Sequence, residues 1–189
     1  MISGAEVLVV CTANVCRSPM AQALLGRRLN DLGSDTVVRS AGMLGDGNPP
    51  YPEVVSAMAP YGLDVSAHRS RRLIPEDLER SDLTLVMARE NLRHAVVTVP
   101  SVWPQSFTLR ELVRRGSAAG PRSRDETLAG WLARVHEGRE RAALLGDSPD
   151  DDVADPAGGP FRRYAETAAV LSGLVDQLVG LCWLDAVPA

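Results

Sequence analysis

Four consecutive apolar residues, Val7-Leu8-Val9-Val10, three of them β-branched, follow a polar start and read as a buried strand. From Pro19 the spacing changes. Ala21, Leu24, Leu25, Leu29 and Leu32 recur at helical intervals until Gly33, and Pro19 suits a first helical turn. Residues 36–42, Thr-Val-Val-Arg-Ser-Ala-Gly, predict a second strand ending in small residues, and the Gly-, Pro- and Asn-rich stretch 43–51 predicts a loop. A helix is expected over about 52–61, stopped by Gly62. Residues 82–87 predict a third strand, about 89–97 a further helix, and 106–109 a short fourth strand.

Strands alternating with helices imply parallel pairing through right-handed crossovers, hence a doubly wound α/β sheet with ligands at the carboxyl ends of its strands. Cys11 directly follows the first strand, so it stands where a site is expected. Residues 116–124 read as a flexible connection, and beyond them Leu128, Leu132 and Val135, with Trp131 nearby, mark an amphipathic helix. The basic run Arg114, Arg115, Arg122 and Arg124 reads as a solvated surface, with a docking patch for an acidic partner as the other reading. Residues 146–160 form an acidic loop carrying Asp147, Asp150, Asp151, Asp152 and Asp155. From Phe161 onward, Tyr164, Ala168, Leu171, Val175, Leu178 and Cys182 share one face of a long last helix, which makes Cys182 a core residue.

The chain has 189 residues, enough for one well-formed core and few for two, so a single domain over 1–189 is expected. Its net charge of -4 argues against a nucleic-acid binder held by phosphate contacts. The three cysteines include no C-x-x-C pair and no cluster at metal-ligand spacing, so no metal and no cofactor are expected. No leader-like or membrane-spanning apolar run stands out, and a cytoplasmic, reducing setting suits a thiolate.

Between the first strand and first helix lies Cys11-Thr12-Ala13-Asn14-Val15-Cys16-Arg17-Ser18. A strand that turns sharply into a helix leaves backbone N–H groups pointing inward at the positive end of the helix dipole, a cradle for an oxyanion. Arg17 adds a planar fork suited to two phosphate oxygens, and the same field favours a thiolate at Cys11. Ser18 can donate to that sulfur and ease its later departure. Asn14 suits a left-handed turn. A buried structural cysteine is the alternative reading of Cys11, but C-x5-R-S closing onto a helix start favours phosphate chemistry.

These residues carry a likeness. The opening Val-Cys-Thr-Ala-Asn-Val-Cys-Arg-Ser-Pro-Met-Ala, then Ser40-Ala41-Gly42, Gly62-Leu63-Asp64-Val65-Ser66-Ala67-His68-Arg69 and Asp155-Pro156 together resemble the low-molecular-weight protein tyrosine phosphatases, in the same order. The resemblance implies a flavodoxin-like, four-stranded parallel sheet flanked by helices and a metal-free phosphomonoesterase acting on protein phosphotyrosine. It implies Cys11 as nucleophile, Arg17 and the amides of residues 12–18 as phosphate binders, and Asp155 as general acid and then base, with Asp151 and Asp152 as fallbacks. It implies that Asn14, Ser18, Ser40 and His68 support the loop, and that Cys16 can pair with Cys11 under oxidation. A phosphotyrosine protein is the implied partner, with a cognate tyrosine kinase possible and a monomer or weak dimer expected.

Several positions depart from that pattern. Ala157-Gly158-Gly159 follow Asp-Pro where aromatics commonly wall the substrate ring, leaving Met43, Phe161 or Tyr164 as substitutes. Met87-Ala88 replaces the usual Met-Asp, although the following x-x-Asn persists as Asn91, and about 110–146 reads as an added helical region. Arsenate reductases, protein-arginine phosphatases and a non-catalytic phospho-ligand-binding module remain alternatives. The thioredoxin-coupled reductases need more cysteines beside the site. Val15 stands where the arginine phosphatases carry a Thr, and an apolar side chain there favours an aryl ester over a guanidinium phosphate.

Overall fold

A computed structural model describes residues 4–183, so Met1, Ile2 and Ser3 of the N-terminal reading lie outside it. Strand β1 (Glu6–Cys11) is buried from Val7 to Cys11 and occupies the middle of a four-stranded parallel sheet, order β2-β1-β3-β4. Its neighbours are β2 (Val37–Gly42) and β3 (Leu83–Val86), and β4 (Ser106–Thr108) closes the far edge. The continuous apolar run of β1 follows from cover on both faces. Val7 and Val9 point into a core shared with α1 (Arg17–Asp31), α2 (Pro52–Met58), α5 (Leu109–Ala119), α6 (Leu128–His136) and α7 (Phe161–Cys182). Leu8 and Val10 point to the opposite face, under α3 (Pro75–Arg80), α4 (Arg89–Thr98) and Trp103. The chain runs outward from β1 to β2 and returns past it to β3, so the carboxyl end of β1 lies at the switch point of the sheet.

Four expectations need correction. The sequence pattern passes over α3, because a six-residue helix has no room for an apolar period and only Leu78 and Asp77 are buried. The connection expected from residue 116 is helical to Ala119, and Gly116 packs there: a Cβ on it would lie 2.9 Å from the Trp131 ring. The basic run is not simply solvated, since Arg122 is buried and donates through Nε to the carbonyl of Cys182 (2.7 Å), one of the unpaired carbonyls that close α7. Lastly, α7 is long and apolar enough to cross a membrane by length and composition. Its apolar face nevertheless packs in the core through Ala168, Leu171, Val175 and Leu178, the spacing expected from the sequence. Cys182 is fully buried on that face, and burial pushes its thiol up to about 12.

Candidate active site

Two donors converge on the Cys11 sulfur. The Asn14 N–H lies 3.3 Å from Sγ and the Ser18 hydroxyl 3.0 Å. Asn14 Nδ2 donates to Ser18 Oγ at 2.8 Å, which leaves the Ser18 proton free to point at sulfur. Sγ therefore sits against the first turn of α1, whose leading N–H groups have no intrahelical acceptor. Cys16, the other loop cysteine, is buried, and burial together with the negative charge at Asp155 and Cys11 raises its thiol pKa, so it stays protonated at neutral pH. Both cysteines are free.

Asn14 is the hub of the loop. It is the one non-glycine among the described residues with positive φ, at 54°. For most side chains that conformation costs about 1–2 kcal/mol, less for Asn. Its hydrogen bonds, each worth about 1 kcal/mol net, outweigh that cost. Nδ2 also donates to Ser40 Oγ (2.9 Å), Oδ1 accepts from the Arg71 N–H (3.0 Å), and the carbonyl accepts from His68 Nε2 (2.8 Å). A carbonyl can only accept, so His68 carries its proton on Nε2. Ser40 in turn donates to Gln22 Oε1, which completes a chain from β2 to α1. Gly42 permits the close approach of strand and loop, since a Cβ there would lie 2.8 Å from the Asn14 backbone nitrogen.

Arg17 is buried, and its guanidinium reaches three groups: the Val153 carbonyl (3.2 Å), Thr12 Oγ1 (3.5 Å) and Asp155 Oδ2 (2.5 Å). Asp155, half exposed in the loop before α7, is thus brought to the cradle although 138 residues separate it from Arg17 in the chain. Val153 pairs with Met87 through its N–H (2.8 Å), which seats the loop on the carboxyl end of β3. Asn91 Nδ2 lies 3.3 Å from Thr12 Oγ1 and 3.7 Å from the Met43 sulfur. Val15 is buried in the loop.

Asp151 and Asp152 have structural work that sequence reasoning missed. Ala88 offers α4 no side-chain cap, and Asp152 Oδ1 supplies one from outside by accepting the Arg89 N–H at 2.7 Å. Asp151 is buried rather than solvated and takes Arg89 Nη2 and Arg114 Nη2, each at 2.7 Å. The signal available in the sequence was Ala88 standing in place of the usual Asp. Asp151→Asn is expected to cost about 2–3 kcal/mol, below the usual range for breaking a buried pair because Arg114 is half exposed. Burial alone pushes the Asp151 carboxyl up, but Arg114 and Arg89 more than reverse this and hold it below the ordinary value. Its contribution is therefore complete above the ordinary carboxylate range and fades as pH falls through the lowered pKa. Thermal melts of both proteins at neutral and acid pH should show the gap between them closing in acid.

The three substitutes for the aromatic wall sit in different surroundings. Tyr164 is buried, and its ring meets half-exposed Tyr51 edge-on at 6.4 Å. Phe161 is half exposed at the start of α7, and the Met43 sulfur faces Asn91. No group of three or more His, Cys, Asp or Glu residues that could hold a metal ion occurs among the described residues.

A family model described as low molecular weight phosphotyrosine protein phosphatase matches residues 6–117. The chain is 41% identical over 106 residues to the probable low molecular weight protein-tyrosine-phosphatase EpsP of Ralstonia solanacearum, covering 56% of this chain and 71% of that protein. It is also 33% identical to a protein-arginine-phosphatase of Bacillus subtilis, covering 92% of this chain and 93% of the relative. Among solved structures, the low molecular weight protein tyrosine phosphatase from T. tengcongensis superposes with a TM-score of 0.71 at 34% identity, covering 94% of this chain and 99% of that one.

Proposed function

Since the chain belongs to the low-molecular-weight protein tyrosine phosphatase family, we propose that it hydrolyses protein phosphotyrosine through a phosphocysteine on Cys11. The convergence of the Asn14 N–H and the Ser18 hydroxyl on the Cys11 sulfur carries this reading, because donors aimed at a sulfur suit the anionic form in which it attacks phosphorus. Sulfur attacks phosphorus in line. Arg17 and the amides of residues 12–18 neutralise the equatorial oxygens, and Asp155 protonates the departing phenolate. The Asp155 carboxylate then takes a proton from the water that cleaves the S–P bond, while Ser18 stabilises the leaving thiolate. Asn14, Ser40 and His68 hold the loop in shape without touching the substrate.

Val15 supports an aryl ester, since a buried apolar side chain leaves a polar guanidinium phosphate unpaired. The similarity to an arginine phosphatase over nearly the whole chain supports a second reading, hydrolysis of protein phosphoarginine. We place the protein in the cytoplasm as a monomer or weak dimer, opposing a tyrosine kinase that supplies its substrate. Phosphotyrosine, phosphoserine and phosphoarginine peptides, with arsenate alongside, distinguish the readings by their kcat/KM values. Phosphotyrosine is expected to lead, and a lead for phosphoarginine overturns that order. Asp155→Ala is expected to lower kcat about 100-fold while changing phosphate affinity little, and equal kcat in variant and wild type removes Asp155 from the mechanism.

A further inference from the structure

A cavity of about 300 Å³ lies beside Asp155, bounded by Arg110, Pro156, Arg163, Glu166 and Val170. Arg110 is the second residue of α5, immediately beyond the carboxyl end of β4, and Arg163 is in the first turn of α7. The cavity therefore opens at the same end of the sheet as Cys11, and Asp155 belongs to both places: its carboxylate holds Arg17 while it lines the cavity.

The two arginines differ from others near the site. Arg89 and Arg114 share Asp151, and Arg139 is held by Glu111. Among the described residues Arg110 and Arg163 form no salt bridge and no side-chain hydrogen bond, and Arg110 Nε is buried without a partner. Glu166, the other carboxylate of the cavity, lies 3.6 Å from Arg162, while Asp155 is engaged by Arg17. Two arginines without an acid partner thus line a small space whose own acids, Asp155 and Glu166, each lie beside another arginine. Gly159 contributes to this arrangement, since a Cβ on it would lie 2.6 Å from Arg163 Cδ. The glycine that replaces an aromatic wall lets the arginine stem lie across the loop.

We infer that this cavity binds the carboxylate of a Glu or Asp flanking the phosphotyrosine of the protein substrate, with Arg110 and Arg163 as its specificity residues. The inference rests on the phosphotyrosine reading above. Two guanidinium forks suit a carboxylate, and Pro156 with Val170 offers apolar surface for the methylenes before it. An extended peptide advances about 3.3 Å per residue, so a side chain one to three positions from the phosphotyrosine spans the gap between the two sites.

The test uses two phosphotyrosyl peptides that differ only in Glu or Ala at the three positions on either side of the phosphotyrosine. Wild type is expected to prefer the Glu peptide about tenfold in kcat/KM, mainly through KM, and less at high salt. Arg110→Gln and Arg163→Gln are each expected to shrink that ratio, and the double variant to bring it close to one. Melting temperatures check folding, which these substitutions should spare because neither side chain has a partner to lose. Equal kcat/KM for the two peptides in wild type overturns the inference, as does an undiminished ratio in the double variant. Hydrolysis of neither peptide overturns it together with the phosphotyrosine reading, whereas equal hydrolysis of both overturns the inference alone.

Discussion

Cys11→Ser is expected to lower turnover by about a millionfold, the scale seen when a covalent nucleophile is deleted, while inorganic phosphate still binds. The substitution replaces sulfur with an oxygen that is un-ionised at neutral pH, so attack on phosphorus loses its anion. The binding elements are untouched: Arg17, the α1 amides and the Asn14 hub do not depend on sulfur for their positions, since Asn14 is also held by Ser18, Ser40, Arg71 and His68. Cys16 cannot substitute, because burial and the nearby negative charges keep its thiol protonated. Steady-state turnover of para-nitrophenyl phosphate over pH 5 to 7, with calorimetric titration of phosphate, checks both halves. Turnover in the serine variant within about 100-fold of wild type would place the nucleophile elsewhere.

The site divides by how local its interactions are. Cys11, Arg17 and Ser18 are legible because one short loop contains them and its chemistry depends on spacing along the chain. The left-handed turn at Asn14 could also be anticipated, because that conformation is a property of the residue itself. The bonds that hold Asn14 were less accessible. The Arg71 N–H is a backbone group that any residue could supply, and Gln22 looks like one more polar position on a surface helix until Ser40 is found opposite it. Asp151 and Asp152 read as surface charge because their partners, Arg89 and Arg114, lie about 40 to 60 positions away and meet them only through the packing of α4 and α5. The short helix α3 fails for another reason, since six residues cannot display a helical period. Periodicity reports which face is buried, and it carries no information on which distant polar group completes a bond.

Arg17→Lys should separate charge from geometry at the cradle. Lysine keeps the positive charge, but an ammonium is a compact point charge on a flexible stem and cannot present two parallel N–H groups to two phosphoryl oxygens. The native guanidinium also touches the Val153 carbonyl, Thr12 and Asp155 together, and this brings the loop bearing the proposed acid against the phosphate loop. One ammonium cannot satisfy that set. The expected loss in kcat/KM is about 1,000-fold, combining weaker equatorial stabilisation with a displaced Asp155. Both kcat and KM should worsen, because in the proposed mechanism the fork holds the phosphoryl group in the ground state and the transition state alike. A double-mutant cycle is the finer readout: if Arg17 positions Asp155, Arg17→Lys combined with Asp155→Ala should lose much less than the product of the single losses. Multiplicative losses would mean that the Arg17–Asp155 contact has no part in catalysis.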